Sequence, residues 1–384
     1  MKRLFLTVVA VALLTVAACA QDITVGVVLS LTGPGAALGI PNKNAMSLAP
    51  TTVAGHKVNY VTYDDASDPT MAVQVVKRLI AENKVDVIIG TTITPTALAV
   101  IDLVAEANTP LISLAQSASV VSPVDAKRKW VFKTPADEAV YMRSVAQHMA
   151  KHGVKTVSTI AFDDAYGEGN FAGFKAEAQR LNIKILATEK YKRTDTSALG
   201  QVLRAMQVKP DAVFILASGT PAALPHKELV ERGYKGKIYQ TAGVVNPDFL
   251  RVGGKDVEGA FLPASPLTVA EQLPNGYPTK AESLRFAHAY EPKFGSRQFF
   301  AALAWDAMNI VNNAIPKALA TAKPGTIQFR QALRNAIENT KGYNGATAVF
   351  TFSPTDHAGV NQLGSVMARI ENGGWKLVEA PSFK

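Results

Sequence analysis

From residue 23 onward the chain repeats one unit: an unbroken apolar run, a loop rich in small residues, then an amphipathic stretch. Ile23-Thr-Val-Gly-Val-Val-Leu-Ser-Leu31 ends in Thr32-Gly33-Pro34-Gly35, and residues 57–63 form a second β-type run. Asp68 then stands where a helix N-cap is wanted and Pro69 at the first helical position. The spacing of Ala72, Val75, Val76, Leu79 and Ile80 predicts a helix to about residue 83. Residues 85–90 give the next strand. Strands that are apolar without alternation are buried on both faces, which requires a largely parallel sheet covered by helices on each side. Hydrophobic residues at 48% and charged residues at 18% exclude a disordered chain. A length of 384 residues fits two domains or one large one.

The unit also echoes at long range. The sequence running from Asp86 to Leu98 (DVIIGTTITPTAL) resembles that from Asp211 to Leu224 (DAVFILASGTPAAL), each preceded by an amphipathic helix and followed by a helix and a short strand. Two doubly wound parallel-sheet lobes facing each other fit this pattern. Ligands of such sheets sit beyond the carboxyl ends of the strands, here the loops 91–96, 115–119, 163–169, 218–221 and 241–246.

The N-terminus reads differently. Lys2 and Arg3 precede an apolar stretch to Ala18 that is shorter than the roughly 20 residues of a membrane span. Ala18-Cys19-Ala20 matches a signal-peptidase site, so residues 1–20 read as a signal peptide and Gln21 as the mature start. Val16-Ala-Ala-Cys19 also fits a lipobox, in which Cys19 carries lipid; the Ala-x-Ala spacing favours simple cleavage, and both readings export the protein to the periplasm. With a single cysteine, the chain has no intrachain disulfide and no cysteine-based zinc cluster. The net charge is +9, but the cations are dispersed and the longest run is Lys127-Arg-Lys129, which argues for a solvated basic surface and no nucleic-acid partner.

Val27-Val-Leu-Ser-Leu-Thr-Gly-Pro34, Tyr63-Asp-Asp-Ala-Ser-Asp-Pro69, Ile88-Ile-Gly90 and Tyr166-Gly-Glu-Gly169, in this order and spacing, resemble the periplasmic solute-binding proteins of branched-chain amino acid ABC transporters, the leucine/isoleucine/valine type. The resemblance implies a type I periplasmic-binding-protein fold, with lobes of 21–134 plus 266–350 and 135–265 plus 351–384. Three hinge crossings near 133–137, 262–267 and 349–353 join them. It also implies a monomer that delivers a small ligand to membrane permease and ATPase subunits. By this resemblance Thr94, the backbone at Ala115 and the hydroxyl of Ser117 hold a ligand carboxylate, Gln116 shapes the pocket, and Tyr166 closes over it. On residues alone, Thr94 before Pro95 reads as an N-cap. The family's second-lobe carboxylate, which meets a ligand ammonium, aligns at Ala242, and its partner tyrosine at Gly219 or Thr220. With no carboxylate there, an aromatic or branched organic acid fits better than an α-amino acid, unless Asp163, Asp164 or Glu189 supplies the charge.

Other motifs point to bland roles. Gly33-Pro-Gly35 with Gly39 misses a phosphate-loop spacing, and Asp64, Asp65 and Asp68 read as a strand end and a helix cap. His148 and His152 share a helix face but show no third zinc ligand, so they read as exposed. Phe299, Phe300 and Trp305 read as helix core. No nucleophile–base arrangement and no cofactor loop is identifiable, so catalytic residues and cofactors are not expected. A sensor of the same fold and an exported enzyme are the competing functions.

Overall fold

The computed structural model describes residues 21–383; the signal-peptide and lipobox readings lie outside the described residues. The first sheet contains β1 (Ile23–Leu29), β2 (Thr52–Val53), β3 (His56–Asp64), β4 (Val87–Gly90), β5 (Leu111–Ser113) and β6 (Val131–Lys133), in the order β2-β3-β1-β4-β5-β6. All of its pairings are parallel except β2 with β3. The second sheet contains β7 (Thr156–Phe162), β8 (Lys184–Tyr191), β9 (Ala212–Leu216), β10 (Lys237–Gln240) and β11 (Phe261–Ala264). After a small hairpin of β12 (Tyr343–Asn344) and β13 (Val349–Phe350), the antiparallel pair β14 (Val366–Glu371) and β15 (Gly374–Glu379) extends that sheet. Its order is β15-β14-β11-β10-β9-β7-β8. The architecture is therefore mixed α/β with mainly parallel sheets in two lobes.

The helices between strands are α1 (Ala36–Met46), α2 (Pro69–Ala81), α3 (Thr94–Glu106), α4 (Glu138–Lys151), α5 (Ala165–Arg180), α6 (Leu199–Gln207), α7 (Ala223–Glu231) and α8 (Pro247–Gly253). Three more, α9 (Lys280–Phe294), α10 (Phe299–Leu319) and α11 (Ile327–Glu338), follow β11, and α10 packs on α1 and α11 beside the first sheet. Local chemistry explains the starts. The Asp68 carboxylate accepts the Met71 N–H at 2.8 Å, with Pro69 opening α2 as the sequence predicts. The long-range echo is structural as well. Asp86 accepts the Thr24 N–H at the start of β1 (3.0 Å), and Asp211 accepts the Lys155 and Thr156 N–H groups at the start of β7 (2.9 Å each). Each carboxylate ties the foot of a central strand to its neighbour.

The chain passes between the lobes three times. At the first passage Lys133 is fully buried, and its ammonium donates to the carbonyls of Gln116 (2.6 Å) and Pro135 (3.0 Å) and pairs with Asp137 (2.6 Å). The second follows β11. The third falls later than residues 349–353. His357 is still bound to β6, through its Nδ1 on the Val131 carbonyl (2.8 Å) and a ring stacked 4.1 Å from Phe132. Only at Gln362, whose amide donates to the Val140 carbonyl (3.1 Å), does the chain join α4. A buried aromatic contact that sequence periodicity does not reveal sets that point.

Asp306 on α10 lies wholly inside, accepting the N–H groups of Ala346 (2.7 Å) and Thr347 (2.9 Å) and the Thr347 hydroxyl (2.6 Å). Burial outweighs these bonds and pushes its carboxyl up to about 7. A raised folded-state value means that the site's stabilising contribution is complete below the unfolded value and is lost as pH rises through about 7. Asp306→Asn removes the titration. Thermal unfolding at pH 5 and pH 8 should show the melting temperature of the variant gaining on that of the wild type as pH rises; a constant difference would refute the assignment.

Candidate functional site

The carboxyl ends of both sheets face one narrow cavity between the lobes. In the first sheet β1 lies between β3 and β4, and in the second β7 lies between β8 and β9, so each lobe presents a point where strand order reverses. Thr92, Ile93 and Thr94 follow β4, and Leu114 and Gln116 follow β5. From the facing lobe, Tyr166, Arg193, Ser218 and Gly243 follow β7, β8, β9 and β10. Leu38, Pro135, Phe299, Phe300 and Leu303 complete a largely apolar wall.

The loop after β4 is shaped by its backbone. Gly90 has φ +129°, and a Cβ there would lie 2.0 Å from the Val28 carbonyl oxygen, so only glycine fits. Thr92 is used internally, donating to Asn42 Oδ1 (3.2 Å) and accepting the Ser30 N–H (3.1 Å). Ile93 occupies the N-cap position of α3 without a side-chain cap, and Thr94 is the first helical residue. The capping role of Thr94 is thereby removed. Its hydroxyl is buried with no hydrogen-bond partner, an arrangement that costs free energy unless something in the cavity satisfies it. The first-turn N–H groups of α3 have no intrahelical acceptors and favour negative charge at the same place.

The facing wall carries a cation that sequence reading overlooked. The Arg193 guanidinium donates from Nε to Asp164 (2.5 Å) and from Nη1 to the Ser218 hydroxyl (3.1 Å), and lies 4.2 Å above the Phe162 ring. Its Nη2 is buried without a partner. Asp164 is fully engaged, because it also caps α5 by accepting the Tyr166 and Gly167 N–H groups (2.9 and 3.1 Å). The other acids suggested for this role are committed too: Asp163 pairs with Lys190 (3.1 Å) and Glu189 with Arg204 (2.6 Å).

Tyr166 is buried, and burial pushes its phenol well above the usual range. The Thr241 hydroxyl donates to the Ala217 carbonyl (2.6 Å), so the phenol is the donor in its 2.9 Å bond to Thr241. The Gln116 amide donates across the cleft to Asn170 Oδ1 (3.1 Å), and Glu138 on α4 accepts the Ala118 N–H (2.7 Å). These bonds join the lobes around the cavity.

Of the residues singled out from sequence, Thr94, Gln116 and Tyr166 line the cavity together. Ala115 and Ser117 are buried beside it, but the Ala115 N–H already goes to Ser113 Oγ (3.1 Å) and the Ser117 hydroxyl lies 3.0 Å from that of Ser119. Gly219, Thr220 and Ala242 are not in the lining; their neighbours Ser218 and Gly243 are. A Cβ on Gly243 would approach the Tyr166 hydroxyl to 2.5 Å, which is why that floor position has no side chain. Phe299 and Phe300, read as core, open α10 at the cavity wall. Asp64 and Asp65 serve structure: Asp64 accepts the Leu31 N–H (2.8 Å) and Asp65 the Ser30 hydroxyl (2.7 Å).

Among the described residues no helix is long and apolar enough to cross a membrane. An extracellular ligand-binding receptor from Rhodopseudomonas palustris HaA2 superposes with a TM-score of 0.91 at 42% identity, covering 93% of this chain and all of that one. A solute-binding protein of an ABC transporter from R. palustris, solved in complex with benzoate, shares the fold at a TM-score of 0.82 and 20% identity, over 94% of this chain and 96% of its own. In sequence, a Leu/Ile/Val-binding protein homolog from Brucella melitensis is 21% identical over 87% of this chain and 88% of its own length. The family model described as periplasmic binding protein matches residues 22–374, and the chain belongs to that family.

Proposed function

We propose that this protein is a periplasmic, monomeric receptor that closes on a small carboxylic acid with an apolar or aromatic body and delivers it to the membrane permease and ATPase subunits of an ABC importer. The carrying observation is a pair of buried donors without partners, the Thr94 hydroxyl and Arg193 Nη2, in the walls of an otherwise apolar cavity. Both can donate to an anion, and the guanidinium, which has no acceptor and carries positive charge, opposes an ammonium. Leu38, Ile93, Phe299, Phe300 and Leu303 supply the surface for an apolar body. The benzoate-bound relative supports the ligand class. Closure moves the lobe of the first sheet against that of the second about the three passages. This reading assigns no catalytic residue and no cofactor.

A thermal-shift screen of aromatic and branched acids tests it. An acid at a hundred times its dissociation constant should stabilise by about 2.7 kcal/mol. A charge-assisted hydrogen bond contributes about 1.5–3 kcal/mol, so Thr94→Ala should weaken binding of the best acid by about tenfold to a hundredfold in calorimetry, with a smaller change in unliganded stability. No shift with any acid, or an unchanged affinity in the variant, would refute the proposal.

A further inference from the structure

Of the pair His148 and His152, only His152 is exposed as the sequence suggests. His148 is fully buried, and the end of the last strand brings Glu379 to it. One ligand atom from each of the three residues lies within 4.8 Å of the others. We propose that His148, His152 and Glu379 form a binding site for Zn²⁺ or a similar divalent transition metal, separate from the ligand cavity.

Two observations carry this. First, both imidazoles are set up in the same way. The Nδ1 of His152 bonds to the His148 carbonyl (2.8 Å) and that of His148 to the Tyr239 hydroxyl (3.0 Å). The carbonyl partner fixes Nδ1–H in His152, and the Tyr239 hydroxyl can accept from Nδ1–H of His148, the tautomer that a metal at Nε2 selects and by which metal-bound histidines are oriented. Second, the buried Nε2 of His148 has no partner.

Zn–N bonds of about 2.0–2.1 Å place tetrahedral ligand atoms roughly 3.3 Å apart, so on binding the exposed His152 ring has to turn out of its 4.0 Å stack on His148 and the Glu379 carboxylate has to close in. Lys151 pairs with Glu379 at 2.7 Å but is largely exposed and free to swing into water when a cation arrives. Three protein ligands leave a fourth position for water. Two imidazoles favour zinc over calcium or magnesium, which take oxygen ligands. Bound metal ties the last turn of α4 to the end of β15. Glu138, at the other end of α4, reaches the cleft, so the metal lies about 15 Å or more along the helix from the ligand.

Calorimetry of ZnCl₂ into the tag-free protein tests the site, with Co²⁺ absorption as a second readout. One saturable site per chain is expected, unaffected by excess Mg²⁺. Glu379→Gln is isosteric at the surface edge of the site, whereas His152→Ala also removes a ring stacked 4.0 Å from that of His148, so the thermal unfolding of each variant is measured beside its metal affinity. Each should weaken Zn²⁺ by at least about tenfold while the affinity for the preferred acid stays the same. Absence of saturable Zn²⁺ binding, or binding that both variants retain at full strength, would overturn the proposal without touching the acid-receptor reading.

Discussion

Arg193→Met should weaken binding of the preferred acid by at least about a hundredfold. Loss of the Nη2 contact removes a charge-assisted bond of about 1.5–3 kcal/mol, which alone is roughly tenfold to a hundredfold. The remainder comes from Asp164. Once its 2.5 Å partner is gone, Asp164 keeps only the Tyr166 and Gly167 N–H groups, and a partly buried carboxylate without its cation behind the cavity wall opposes a second anion. Arg193→Lys keeps the charge but cannot bond Asp164, Ser218 and ligand together from one planar group, and should fall between. Calorimetry with the acid that gives the largest thermal shift measures all three proteins. An Arg193→Met affinity equal to wild type would remove the guanidinium from the site.

Leucine should bind at least about a hundredfold more weakly than 4-methyl-2-oxopentanoate, and phenylalanine correspondingly more weakly than 3-phenylpropanoate. Each pair shares its carbon skeleton and differs at the amino position. In the closed cleft an ammonium loses its water, and an unpaired buried charge costs several kcal/mol, where each 1.4 kcal/mol is about a factor of ten. Among the described residues no carboxylate lines the cavity: Asp163, Asp164 and Glu189 are each paired with a cation, Glu138 is held by the Ala118 N–H, and the cavity already holds Arg193. Tight leucine binding in a competition assay would overturn the ligand class and restore an amino-acid receptor.

Much of this molecule is readable from its residues because the signals are local. The two-sided apolar strands and the Asp68–Pro69 helix start each depend on neighbours within a few positions, and the Asp86 and Asp211 echo is legible because each copy of the unit is itself local. The strand-to-helix loops that face the cleft follow from that alternation, and Thr94, Gln116 and Tyr166 lie in them. Arg193 escaped because its meaning depends on Asp164, a residue 29 positions earlier on a different loop. In sequence it is one more dispersed cation. Phe299 and Phe300 read as core because a helix start at a cavity wall is as apolar as one inside. The choice between Ser218 and Gly219, or Ala242 and Gly243, turns on backbone direction in a tight turn. Glu379 joins His148 only through the antiparallel return of β15, which local periodicity does not announce.

The buried Lys133 has a mechanical consequence. Its ammonium donates to the carbonyls of Gln116 and Pro135 and forms an ion pair with Asp137. Gln116 and Pro135 are wall residues, while Asp137 leads directly into α4. Pivot and wall are thus knotted into one stiff piece. An oversized guest cannot push the Gln116 loop aside by itself; it has to prop the lobes apart about the pivot. The cleft then works as a calliper, converting molecular girth into an angle between two rigid bodies, and a transporter that docks on both lobes would be measuring that angle without ever touching the cargo.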